Sequence, residues 1–155
     1  MTLTDTHTHL YDEQFDGDRD LVMQRAREAG VRTFLSPAIN RQSYEAMFDF
    51  TRRYEGCYAM MGLHPTSVND NPRWQDDLEE VARYLAQPPE GIRFVGVGEV
   101  GLDFYWSRDF IAEQTEALRA QAELALRYEL PLALHTRAMG RRWVSSTCKT
   151  PSRVV

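Results

Sequence analysis

The sequence predicts an α/β protein of the TIM-type (β/α)8 barrel class, with only about the first five β/α units present. Three observations carry this expectation. Short apolar runs alternate with amphipathic helical stretches on short links, the rhythm of a parallel sheet covered by helices. All four histidines, His7, His9, His64 and His135, and the carboxylate of Glu99 fall where an expected strand runs out into a loop. An open doubly wound sheet spreads its strand tips along a line, whereas a barrel focuses them on one point, so chemistry on successive tips favours the barrel.

The elements follow in order. Leu3 to His7 reads as strand one. Asp18 or Asp20 can cap a helix through Leu21, Val22, Ala26 and Ala29, and Gly30 is a natural stop. Thr33 to Ser36 with its flanks is strand two. Ser43 starts a helix with Tyr44, Met47, Phe48, Thr51 and Tyr54 on one face, ended by Gly56. Cys57 to Gly62 is strand three. A third helix carries Leu78, Val81, Ala82 and Leu85 at i, i+3, i+4 and i+7, and Pro88-Pro89 end it. Phe94 to Val97, continuing to Glu99, is strand four. Ile111 to Tyr128 is a long helix with Leu118, Ala122, Ala125 and Leu126 on its apolar side, and Pro131 to His135 is strand five.

Length and composition bound the function. At 155 residues, 43% hydrophobic and 26% charged, the chain can build one packed domain. No apolar run approaches the ~18 residues that span a membrane, and Met1 to Leu10 has no signal-peptide core, so no membrane partner is expected. Two cysteines, Cys57 and Cys148, make no disulfide framework and point to the cytoplasm. A net charge of −5 argues against broad electrostatic binding to nucleic acid, so a phosphate substrate would need bound cations.

A full barrel takes about 250 residues. After Glu129 the sequence has no acidic residue, while Arg137, Arg141, Arg142, Lys149 and Arg153 follow, and the stretch from Ala138 shows neither helical nor strand periodicity. Residues 1–137 therefore read as the N-terminal part of a barrel, and the site residues and the resemblance below make it the barrel of a metal-dependent hydrolase. Residues 138–155 read as a basic tail, either a solvated segment or the product of a truncation or frameshift near Arg137.

The site residues each carry a bland reading beside the sharp one. His7 and His9, two apart on a strand, leave the same face and can chelate one ion, with Asp5 better placed to orient than to ligate. Glu99, hemmed by Gly98 and Gly101, is either an exposed loop acid or a carboxylate bridging two cations about 3.5–4 Å apart. Asp103 would hold a loop or a neighbouring ligand. His135 is a satisfied core histidine or a ligand. His64, stiffened by Pro65, faces substrate phosphate or an attacking water, or merely shapes its loop. Tyr105 and Trp106 either stack on an unpaired base or pack on a neighbouring loop.

Asp5-Thr6-His7-Thr8-His9-Leu10, Gly62-Leu63-His64-Pro65, Gly98-Glu99-Val100-Gly101-Leu102-Asp103-Phe104-Tyr105 and Pro131-Leu132-Ala133-Leu134-His135-Thr136-Arg137 together resemble the TatD-type metal-dependent deoxyribonucleases of the amidohydrolase superfamily. The resemblance runs in order from about Leu3 to Arg137. It implies hydrolysis of DNA phosphodiester bonds at two divalent ions, zinc, magnesium, manganese or similar. His7, His9 and Glu99 would hold the first, Glu99 and His135 would contribute to the second, and His64 and Arg137 would suit substrate phosphate. The family also has a histidine on strand six, and a general-base aspartate on strand eight that binds the first ion. Neither has a counterpart here, so the second site is expected to be incomplete and activity impaired. Two other readings stay open: a barrel hydrolase of amides or other esters, and a non-catalytic half-barrel that self-associates through the open edges of strands one and five.

Overall fold

Each apolar run becomes a strand and each periodic stretch a helix. A computed structural model describes residues 1–138. Along it β1 (Leu3–Asp5), α1 (Arg19–Glu28), β2 (Val31–Pro37), α2 (Tyr44–Arg53), β3 (Cys57–Met61), α3 (Trp74–Ala86), β4 (Phe94–Asp103), α4 (Ile111–Arg127) and β5 (Leu132–Arg137) alternate. Short 3-10 turns at Glu13–Phe15, Arg41–Ser43 and Pro65–Ser67 link some of them. The expected change of character after Arg137 lies outside the described residues, apart from Ala138. Among the described residues no helix is long and apolar enough to cross a membrane.

The five strands form one parallel sheet in the order β1-β2-β3-β4-β5. Right-handed crossovers that always step the same way put every helix on one face, whereas a doubly wound sheet reverses direction once. One core between helices and sheet accordingly draws on all four helices, through Met23 of α1, Met47 and Phe48 of α2, Val81 and Leu85 of α3, and Ala117 and Leu124 of α4. This is an arc of a TIM-type barrel. Its curl is steep at the C-terminal rim. There Ala38, just past β2, donates to the Gly98 carbonyl and accepts from the Glu99 N–H, reaching past β3 to β4.

Four expectations need correction. β1 ends at Asp5, so His7 and His9 lie in the following loop, which stays beside β2 through the Thr8 N–H to Leu35 carbonyl bond. Glu99 does not end β4, and His135 does not end β5. The two strands run on together, pairing Gly101 with His135, Leu102 with Thr136 and Asp103 with Arg137. That pairing depends on Gly101, whose φ is +151° and where a Cβ would lie 1.9 Å from the His135 carbonyl oxygen. On α4, Leu126 is exposed, and the face turned to the core carries Gln114, Ala117, Gln121, Leu124 and Ala125.

Candidate metal centre

Glu99 is the centre of the site, and a β-bulge puts it there. Between the Val97–Leu132 and Val100–Leu134 pairs, β4 spends one residue more than β5. A bulge releases the extra residue from the ladder and re-aims its side chain. Gly98 permits the bend, since a Cβ there would sit 2.7 Å from the Cβ of Ala133. The carboxylate then divides its two oxygens. Oε2 faces His7 Nε2 at 3.1 Å and His9 Nε2 at 3.6 Å, while Oε1 faces His135 Nδ1 at 2.8 Å and His64 Nε2 at 3.8 Å. Side chains from the loops after β1 and β3 and from β5, far apart in sequence, thus converge on one carboxylate.

On the Oε2 side, Asp5 turns the chain out of β1 by accepting the His7 N–H at 3.1 Å. It orients the backbone of that residue, not its ring. His7 and His9 meet with their Nε2 atoms 3.1 Å apart. The His9 ring is set by a residue the sequence reading passed over. The phenol of Tyr11, 4% exposed, donates its single proton to the Pro37 carbonyl at 2.7 Å and lies 2.8 Å from His9 Nδ1. With that proton committed, the phenol oxygen accepts from Nδ1–H, and the lone pair of His9 is left on Nε2, toward Glu99. The available signal was positional: Tyr11 stands two residues beyond His9 in the same extended loop.

On the Oε1 side, His135 lies between two carboxylates, with Nδ1 on Glu99 and Nε2 2.9 Å from Asp103 Oδ2. Asp103 also accepts the Tyr105 N–H through Oδ1, so it holds both a loop and a neighbouring side chain. His64 shapes its loop, one of the roles expected of it, and also faces Glu99. Its Nδ1 accepts the Thr66 N–H at 3.2 Å, capping the Pro65–Ser67 turn, which leaves Nε2–H as the group turned toward Glu99. Its ring packs edge-on against His135 at 4.4 Å between centroids. Burial is the main cause that drives the His64 imidazole down to about 4, so the ring is a neutral donor at neutral pH.

Burial by itself would raise the Glu99 carboxyl, but the facing imidazoles of His9, His64, His7 and His135 outweigh it and hold it at about 2. A carboxylate ringed by imidazole nitrogens, those of His7, His9 and His135 able to present lone pairs, is a cation-binding donor set. His7, His9 and Glu99 offer three such atoms, and His135 and Glu99 two more, with His64 beside them. The spacing fits as well. Donors about 2.0–2.2 Å from one tetrahedral ion stand about 3.3–3.6 Å apart, close to the 3.1, 3.1 and 3.6 Å edges of the first triangle. When both imidazoles are neutral and present lone pairs, these three atoms repel one another unless a cation lies among them.

At the mouth, the Arg137 guanidinium lies 3.8 Å over the Tyr105 ring and 5.7 Å from that of Trp106. The two rings meet edge to face at 5.0 Å and are 58% and 69% exposed. Among the described residues the aromatic pair is exposed and has the Arg137 guanidinium over it.

Comparison with known proteins accords with this geometry. Residues 4–151 match the family described as TatD related DNase. The chain is 36% identical over 141 residues to the 3'-5' ssDNA/RNA exonuclease TatD of Cronobacter turicensis, covering 91% of this chain and 51% of that protein. It is 31% identical over 135 residues to the uncharacterized metal-dependent hydrolase YabD of Bacillus subtilis. That match covers 87% of this chain and 51% of YabD. Among solved structures, the TatD homolog YjjV of Escherichia coli K12 superposes with a TM-score of 0.76 at 33% identity, covering 88% of this chain and 51% of that one. The chain spans about half the length of the curated relatives it matches. By a family match over most of its length and relatives above 30% identity, this chain belongs to the TatD related DNase family.

Proposed function

We propose that this chain carries the N-terminal part of the active site of a divalent-cation-dependent phosphodiester hydrolase acting on single-stranded nucleic acid, DNA first. One observation carries the reading: Glu99 divides its two oxygens between His7 and His9 on one side and His135 on the other. That is the part a carboxylate plays when it bridges two cations. His7, His9 and Glu99 hold the first ion, and Glu99 and His135 contribute to the second. Imidazole and carboxylate donors suit zinc, manganese or iron, and magnesium less well. Cations so held supply an activated water and neutralise charge on the phosphate. His64 donates Nε2–H to a phosphate oxygen. Arg137 adds a permanent positive charge beside it. Tyr105 and Trp106 offer faces on which an unpaired base stacks, a contact worth ~1–3 kcal/mol. The names of relatives such as the Cronobacter turicensis exonuclease support the single-stranded substrate. A cytoplasmic setting belongs to the same reading, and Cys57 is a buried free thiol.

The test uses the purified chain with its mass verified. Calorimetric titration with manganese and zinc is expected to show binding, and a 5'-labelled single-stranded oligonucleotide to shorten from its 3' end until EDTA is added. Glu99→Gln should abolish both. A folded parent chain that binds neither cation overturns the reading. Turnover of a cyclic amide in place of the oligonucleotide would assign the site to another hydrolase class. Copies of the chain are also expected to associate through the sheet edges at β1 and β5, where Leu134 is 44% exposed. Light scattering that shows a monomer at all concentrations would refute that part.

A further inference from the structure

Two buried glutamines on α4 have no place in the roles assigned so far. Gln114 and Gln121 are 0% and 1% exposed, in the middle of the face that packs on the core. An unpaired amide there would cost several kcal/mol, so such residues persist only when both ends are bonded. Both are, and in the same way. Gln121 accepts the Leu63 N–H at 2.7 Å and donates to the Leu63 carbonyl at 3.1 Å. Gln114 accepts the Asp103 N–H at 2.8 Å and donates to the Asp103 carbonyl at 3.0 Å. Each amide imitates one residue of a neighbouring strand, paired to a single backbone unit at the rim of the sheet.

The two backbone units are the ones that carry the Oε1 half of the site. Leu63 directly precedes His64. Asp103 places its own Oδ2 on His135 Nε2, which turns His135 Nδ1 to Glu99. Gln114 also donates to Asn69 Oδ1 at 2.7 Å, tying the loop after β3 to the end of β4. Seven residues separate the two amides, two turns of a helix, so they leave α4 on one face about 10 Å apart along its axis.

We propose that Gln114 and Gln121 are positioning residues of this site, each pairing both ends of its amide with one rim backbone unit, so that α4 sets His135 through Asp103 and His64 through Leu63. The assignment rests on the cation-dependent reading above for its purpose but not for its geometry. Gln114 acts on a cation ligand through a carboxylate, the arrangement that fixes ring orientation and tautomer in metal sites. Gln121 acts on the donor that faces phosphate. A purely structural account, in which the amides only satisfy buried backbone, predicts loss of stability spread over the whole rim.

The experiment separates these accounts in the cation-free chain, whose four histidines make ring spectra simple to assign. Long-range proton–nitrogen correlation spectra report the tautomer of each imidazole. Gln121→Met should displace the His64 signals and spare His135, whereas Gln114→Met should do the reverse, with His7 and His9 unchanged in both. Gln114→Met should also weaken cation binding by about 10- to 100-fold, and more than Gln121→Met. Where a methionine variant does not fold, Gln114→Glu or Gln121→Glu keeps the shape and an acceptor oxygen, and replaces the two-proton amide donor by a carboxyl that donates one bond when protonated and none when ionised. Signals that move together in all four histidines, signals that move in none, or failure of all four variants to fold would each overturn the proposal. If the parent chain binds no cation but the paired displacements occur, the functional reading fails and this one stands.

Discussion

Replacing Tyr11 by phenylalanine tests the tautomer of His9 with little change of shape. The phenol is 4% exposed, and its oxygen takes part in two hydrogen bonds, to His9 Nδ1 at 2.8 Å and to the Pro37 carbonyl at 2.7 Å. Burial pushes the phenol well above its ordinary range, so it is a protonated donor to Pro37 at every working pH. Tyr11→Phe deletes one atom, opens no sizeable cavity and leaves His9 free to carry its proton on Nε2, where it would point at the cation. Loss of such an orienting partner weakens metal binding about 10- to 100-fold, or about 1.4–2.7 kcal/mol. The Pro37 bond adds about 1 kcal/mol of lost stability, a fall of roughly 3 °C in Tm for a chain of this size. Calorimetric titration of EDTA-stripped parent and variant with zinc gives the first quantity, and thermal melting without cation the second. An unchanged Kd beside a lowered Tm would show that Tyr11 only fills space and bonds Pro37, refuting the assignment of the His9 lone pair to Nε2.

Three further outcomes follow from the same geometry. Gly101→Ala drives a Cβ to 1.9 Å from the His135 carbonyl at a φ of +151°, whereas a Cβ at Gly17 meets nothing within 4 Å. The first should cost about 4 kcal/mol or more and the second under about 1, so equal urea midpoints would refute the strained pairing at Gly101. His64, held at about 4 against an ordinary 6.5, contributes stability that is fully present above pH 6.5 and is lost as pH falls from 6.5 towards 4. Glu99, held at about 2 against 4.5, extends that loss from pH 4.5 downward. Unfolding free energies from urea titrations in EDTA should therefore fall below pH 6.5, by up to roughly 3 kcal/mol from His64, and less in His64→Gln; a flat profile in the parent counts against the buried neutral ring. Trp106→Ala should raise KM for a single-stranded oligonucleotide about 5- to 100-fold with kcat preserved. An unchanged KM would return the exposed pair to a packing role.

The order of elements was legible in the sequence because periodicity is local, and the candidate donors could be singled out for the same reason. Apolar residues at i, i+3, i+4 and i+7, as in Leu78 to Leu85, report which face of a helix is buried, and His7, His9, Glu99 and His135 stand in motifs readable one at a time. The same locality explains the errors. Strand ends depend on a partner: β4 and β5 outrun their apolar runs because each supplies the other's hydrogen bonds, whereas β1 stops at Asp5 when that carboxylate takes the His7 N–H. On α4 a count of apolar residues put Leu126 inward and overlooked Gln114 and Gln121, whose amides bond rim backbone outside the helix. The amides did leave a trace, polar residues seven apart within an otherwise small and apolar stripe.

What the amino-acid order supplied alone is a set of imidazole and carboxylate groups, which can act as donors wherever they meet, and the alternation of strand and helix, since burial periodicity is a property of each segment. The tertiary structure decided the rest: that the strands follow one another around an arc, that a bulge swings Glu99 out of its ladder, and that Tyr11, Asp103 and Thr66 choose which nitrogen of His9, His135 and His64 looks into the site. A hydrogen bond is a pairing between two groups. Its geometry exists only once the fold has brought both groups within reach, even where they stand two residues apart, as Tyr11 and His9 do.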